Sequence, residues 1–112
     1  MEVHIVNVQH AVRYVDLLSE EKLQWVERLN RERGERETND AREMLAEAGV
    51  PVHLQVVVRD DPAMAITQVS RQLNCDLIVM GTRGMGTVAG LVLGSVASRV
   101  VHLADMPVTM VK

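Results

Sequence analysis

The residues whose spacing carries the most chemistry are glycines. Gly81, Gly84 and Gly94 follow one another with two and then nine residues between them, and Ser95 comes directly after Gly94. The apolar run 77–80 stops at Gly81, and a second apolar stretch, with helical spacing, opens at Gly94-Ser95. A last strand-like run, Val108–Val111, closes the chain. Strand, glycine loop, helix and strand is the layout of a phosphate-binding βαβ unit. Glycine lets main chain come close to an anion, and the amides at a helix start point towards it. The chemistry predicted is capture of a phosphate-type anion, with the Ser95 hydroxyl as an added donor. The competing reading is that the glycines only shape a strand-to-helix connection.

Other reactive side chains form no catalytic set. Ser95 has no histidine partner at any recognisable spacing, and a phosphate-cradling serine needs none. No lysine follows the glycines as in a P-loop, so any hydrolysis is expected to be slow. His4 and His53 fall in strand-like runs, His10 follows the first of them, and His102 lies on the last helix. None shows ligand spacing, and with a single cysteine no metal site is expected. Cys75, just before an apolar strand, reads as a small buried hydrophobe. Asp60 and Asp61 read as helix caps, and Asp76 as a turn or capping residue.

The elements that must position the glycines can be read in order. Residues 3–8 (VHIVNV) and 52–58 (VHLQVVV) are β-branched runs and predict strands. Ser19-Glu20-Glu21 is a helix start, a cap followed by two acids facing the macrodipole. Leu23, Val26 and Leu29 then share a face, and Ala41, Met44, Leu45 and Ala48 resume an apolar stripe. The reading is one long helix, with Gly34 as the place where it would break, ended by Gly49 and Pro51. Asp60-Asp61-Pro62 starts the next helix, with Ala65, Ile66, Val69 and Leu73 inward. Residues 76–80 predict the third strand, and a helix from Ser95 to Leu103 buries Val96, Val100 and Leu103. The mixed-charge stretch 27–40 reads as a solvated helix face. Strands alternating with helices imply a parallel sheet with right-handed crossovers.

Composition bounds the rest. The chain has 112 residues, which predicts one domain over 1–112 with a modest core. Its net charge is 12 − 15 = −3, with one Trp and one Tyr, so neither a basic face nor stacking aromatics point to nucleic acid. No apolar run nears the roughly 20 residues that cross a bilayer. No signal-like start is present and one cysteine forms no internal disulfide, so the expected location is the cytoplasm.

The glycine spacing, set after a strand and finished by PVTMV at 107–111, resembles the signature of the universal stress protein family in its nucleotide-binding branch. That resemblance implies an α/β fold with an open, mainly parallel sheet and flanking helices. The fold would be Rossmann-like, of the adenine-nucleotide alpha hydrolase-like kind. It also implies an N-terminally shortened version, because family members begin with a further strand, a loop bearing an Asp, and a helix. The sheet order would be 3-2-1-4-5, with the missing strand in the middle. Three arrangements stay open. Strand 3–8 pairs directly with 76–80 in a four-stranded sheet, two chains share strands, or the fold is incomplete. Strand sharing in a homodimer is the favoured one, since unpaired inner edges are costly.

Carried over by position, the resemblance assigns Gly81, Thr82, Arg83, Gly84, Gly94, Ser95 and Val96 to the phosphates. It sets Met80 beside the base or ribose and Val8 near adenine. Ala97 stands where the family often has a hydroxyl. The implied ligand is ATP or a related adenine nucleotide, with Mg2+. The implied partner is a second copy of the chain, through Val108–Val111 or through strand sharing, with no nucleic acid and no membrane. The implied function is a small cytoplasmic stress-response protein, a homodimeric regulatory module with at most weak ATP hydrolysis. The alternative is a dimeric interaction protein of the same fold that has lost nucleotide binding.

Overall fold

The computed structural model describes residues 1–10, 19–82 and 94–112. Along them run β1 (Val3–Gln9), α1 (Glu20–Glu37), α2 (Asn39–Glu47), β2 (Val52–Val58), α3 (Pro62–Gln72), β3 (Ile78–Gly81), α4 (Ser95–Leu103) and β4 (Val108–Val111). The predicted alternation of strand and helix holds, with the long first helix divided in two. The chain forms two compact units, Met1–Asp60 and Asp61–Lys112.

In the first unit β1 and β2 pair in parallel, residue for residue from Val3↔Val52 to Gln9↔Val58. The α1–α2 crossover between them begins as predicted: Ser19 Oγ accepts from the Lys22 N–H at 3.3 Å, with Glu20 and Glu21 in the first turn. Gly34, however, does not break the helix. A β-carbon there would stand 2.7 Å from Val56 Cγ2 and 2.9 Å from Asn7 Oδ1, so the glycine lets α1 lie close on the β1–β2 sheet. The buried line therefore runs through Leu23, Val26, Asn30 and Gly34, and Leu29 is left 37% exposed.

The break comes instead at Thr38 (φ −106°, ψ 2°). Its hydroxyl donates to the Gly34 carbonyl at 2.8 Å, and Arg42 donates to Thr38 Oγ1 at 3.2 Å and to the Glu35 carbonyl at 2.6 Å. The Gly34 carbonyl also accepts from the Thr38 N–H at 3.2 Å, so the hydroxyl adds a second donor there, and Arg42 adds one at Glu35. Of the predicted second stripe only Leu45 turns inward, and Met44 is 71% exposed. Gly49, at φ +73°, closes α2 in a Schellman arrangement: Val50 N–H to Leu45 O at 2.9 Å and Gly49 N–H to Ala46 O at 3.0 Å.

In the second unit Asp61 caps α3, accepting from the Met64 N–H at 3.2 Å, with Pro62 in the first turn. Asn74 (φ +53°) ends that helix as Gly49 ends α2, with Cys75 N–H to Ser70 O at 2.9 Å. Strands β3 and β4 pair in parallel from Ile78↔Val108 to Gly81↔Val111. Pro107 lacks an N–H but its carbonyl accepts from Ile78 at 3.0 Å. The third strand thus begins two residues later than the predicted 76–80 and includes Gly81. Ala63, Ile78 and Val100 form the core, ringed by Ile66, Met80, Val96, Leu103, Met106 and Val108. Period-two alternation sends Val79 and Val111 to the opposite face, where they are 61% and 51% exposed.

Among the described residues the ladders are β1–β2 and β3–β4, two two-stranded parallel sheets.

Candidate functional site

The chemistry predicted for the glycines centres on the end of β3 and the start of α4. Gly81 pairs with Val111, and the Thr82 N–H extends that ladder to the Val111 carbonyl at 2.9 Å. The Thr82 carbonyl then accepts from the Gly94 N–H at 2.7 Å. That bond links the end of β3 to the start of α4. Arg83 and Gly84, both assigned to the phosphates, lie outside the described residues.

Gly94 is the N-cap of α4, at φ −61° and ψ 161°, and, being glycine, it supplies no side-chain cap. An α-helix leaves its first amides without intrahelical partners, and its dipole makes that end electropositive. Ser95 is exposed at this end, whereas the Val96 side chain packs into the core and leaves only its main chain for a ligand. Ala97 is 3% exposed and packs beneath. Met80 is half-buried against the same core. The structure thus brings Met80, Gly81, Thr82, Gly94, Ser95 and Val96 into one turn. Val8 belongs to the first unit, half-buried near the end of β1 and opposite Val57.

Two ion pairs that sequence spacing does not announce tie α4 to its surroundings. Arg99 Nη1 donates to Asp61 Oδ1 at 2.7 Å. That bond first, and the Met64 N–H second, hold the Asp61 carboxyl below its ordinary value. At the other end Arg71 donates to Asp105 Oδ2 at 2.6 Å and to the Leu103 carbonyl at 2.8 Å. The Asp-Pro signal found the cap, but it could not reveal that the same oxygen also binds a helix over thirty residues away.

The register of β1 on β2 sets His4 beside His53, their rings stacked with centroids 4.9 Å apart. Glu2 Oε1 lies 3.2 Å from His4 Nε2 and 3.0 Å from His53 Nε2, and His4 Nδ1 is buried without a partner. Among the described residues no three His, Cys, Asp or Glu side chains are placed to hold an ion. A cleft of about 480 Å³ lies elsewhere, lined by Glu32, Glu35, Arg36, Asn39 and Arg42. Its two acids offset its two arginines, and Arg42 is already committed to the Thr38 kink, so it offers no cradle of one charge. No helix among the described residues is long and apolar enough to cross a membrane.

An α/β protein with parallel strands, whose glycine-capped helix opens beside a strand end, is the class these features define. Comparison with known proteins narrows it. The model of the universal stress protein family matches residues 1–112, and the chain belongs to that family. Universal stress protein MJ0531 of Methanocaldococcus jannaschii is 33% identical over 111 residues, covering 99% of this chain and 65% of that protein. The chain therefore spans just under two thirds of that relative's length. Among solved structures, hypothetical protein MJ0577, the subject of a structure-based assignment of biochemical function, superposes with a TM-score of 0.81. It is 25% identical, with 99% of this chain and 75% of that one covered. A universal stress protein in complex with cAMP matches at a TM-score of 0.60 and 23% identity, over 98% and 72% of the two chains, a likeness of fold.

Proposed function

We propose that this universal stress protein is a stress-response binding module that takes an adenine nucleotide, ATP with Mg2+, at the turn from β3 into α4. The observation that carries the reading is the head of α4. Gly94 supplies no side-chain cap, its N–H is locked to Thr82, and Ser95 stands exposed beside the first-turn amides. Such amides suit the oxygens of a phosphate chain. Gly81, Thr82, Arg83, Gly84, Gly94, Ser95 and Val96 would face the phosphates, with Met80 and Val8 towards the nucleoside. Mg2+ would enter as the counter-ion of the phosphates. Binding would alter dimer state or partners in the cytoplasm rather than drive fast turnover; among the described residues no nucleophile and base stand together.

A thermal-shift titration with ATP and magnesium tests this. Ligand at 100 times its dissociation constant stabilises the fold by about 2.7 kcal/mol. No shift at millimolar ATP overturns the reading. Valine at both Gly84 and Gly94 should abolish any shift, and one that persists unchanged moves the site elsewhere.

A second reading is supported by the exposed apolar face of β3–β4, with Val79 and Val111 outward. Parallel sheets are ordinarily covered on both faces. On this reading the chain is a homodimeric interaction module, through Val108–Val111 or through shared strands, with or without nucleotide. Sedimentation showing a folded monomer at micromolar concentration removes it.

A further inference from the structure

We propose that Asp61 and Arg99 are positioning residues for the anion site at the head of α4: their ion pair ties the helix, one turn behind Ser95, to the start of α3 and so holds the direction its first amides must face. The proposal rests on the nucleotide reading above and names what keeps that site in shape.

Asp61 Oδ1 has two partners, the Met64 N–H at 3.2 Å and Arg99 Nη1 at 2.7 Å. The first bond makes it the N-cap of α3, which fixes the carboxylate relative to that helix axis. Arg99 is therefore tied to a defined point rather than to a swinging side chain. Arg99 also sits one turn beyond Ser95, on the same face of α4, next to the amides the ligand would use.

The far end of α4 has its own tie, Arg71 to the Leu103 carbonyl and to Asp105. Ala97, two residues before Arg99, and Val100, directly after it, are 3% and 0% exposed. Helix α4 has nine residues, and its first residue lies about 6 Å along the axis from Arg99, so a shift of the helix at that tie displaces its first amides directly. Releasing the Arg99 tie should move the head of the helix, while releasing the Arg71 tie, at the far end, leaves the head where it is. Asp61 also occupies the Arg99 guanidinium, which commits that charge to α3 and away from a ligand.

Calorimetric titration of the full chain with MgATP tests the proposal, on the wild type, Asp61→Asn, Arg99→Ala, Arg99→Lys, the Asp61→Asn/Arg99→Ala double variant and Arg71→Ala. Asparagine keeps the cap and removes the charge. The pair is partly exposed, 52% at Arg99 and 41% at Asp61, so the effect is modest. Asp61→Asn and Arg99→Ala should each weaken binding about two- to fivefold. The double variant should be no weaker than either alone, because both lose one interaction. Arg99→Lys should recover part of the loss, and Arg71→Ala should stay within about twofold of the wild type despite losing a comparable pair. Tighter binding by Asp61→Asn overturns the proposal, since it would make the released guanidinium a ligand for the phosphates. Unchanged affinities, or losses that add, overturn it as well while leaving the nucleotide reading intact. A wild type that binds no MgATP removes that reading and the proposal with it.

Discussion

Gly34 of α1 and Val56 of β2 stand so close that a β-carbon on the glycine would lie 2.7 Å from Val56 Cγ2. The contact sets the depth at which the first helix rides on the first sheet. Asn7 Oδ1, at 2.9 Å, closes the other side; that oxygen is held by the Gln9 Nε2 donor at 2.6 Å, and Val56 is β-branched and stiff at χ1. Alanine at position 34 should therefore destabilise the chain, although alanine is the better helix former. Overpacking costs about 1–3 kcal/mol and helix propensity returns about 1. The expected net loss is about 1 kcal/mol, larger for Gly34→Val, read as a lower urea midpoint. A midpoint that rises in Gly34→Ala means the helix can lift off the sheet without cost.

Gly49 is the opposite case. Nothing lies within 4 Å of a β-carbon there, but φ is +73°. The penalty is in the backbone, about 1–2 kcal/mol for an L-residue in the left-handed region. Gly49→Ala should lose that much stability, and Gly49→Asn distinctly less, because asparagine tolerates this conformation. Asn74 already does so at the end of α3, with φ +53°. Equal losses for the two variants would put the cost in packing rather than in φ.

The two glycines also show what could be read from sequence. Gly49 before Pro51 is a local signal, as are Ser19, Asp61-Pro62 and the β-branched runs, and each lies where it was expected. Gly34 in a polar stretch looked like a helix break because its reason for being glycine sits on another element, β2. The exposure of Leu29 follows from the same cause. Strand pairing was hidden for a related reason: each run names its own extent but not its neighbour, so the pairing of β1 with β2 and of β3 with β4 could not be read from the runs alone. Around the glycines, the sequence pattern set Gly81 at a strand end and Gly94-Ser95 at a helix start, and both stand there. The Asp61–Arg99 and His4–His53 contacts depend on helix packing and strand register, which no motif records.

Asp61 gives the fold an acid-sensitive contact. Its carboxyl lies below the ordinary 3.8 through Arg99 first and the Met64 N–H second. A carboxyl lowered by folding contributes fully above its unfolded value, and the contribution is lost as pH falls through the folded value. Its share should therefore be flat from about pH 7 to pH 5 and disappear below about pH 4. Urea midpoints across that range should show Asp61→Asn less stable than the wild type at neutral pH, with the gap closing in acid. Added salt should narrow the gap at neutral pH, because the pair is exposed to solvent. Two curves that stay parallel down to about pH 2.5 would falsify the assignment of this contact to Asp61.

Gly94 allows stability and ligand binding to be separated in one substitution. Its φ of −61° and ψ of 161° are those of an ordinary N-cap residue, which most side chains can adopt. Glycine is therefore not required there by the backbone. Gly94→Asp would put a carboxylate on the first-turn amides, capping the helix and complementing its dipole. Stability should hold or rise by a few tenths of a kcal/mol, about the difference between glycine and a good cap. The same carboxylate would occupy the donors offered to phosphate and repel a second negative charge, so ATP should bind at least about tenfold more weakly. Gly94→Ser, which caps without charge, should fall between the two. A Gly94→Asp chain that is stable and still binds ATP at wild-type affinity would show that the head of α4 is not where the phosphates sit.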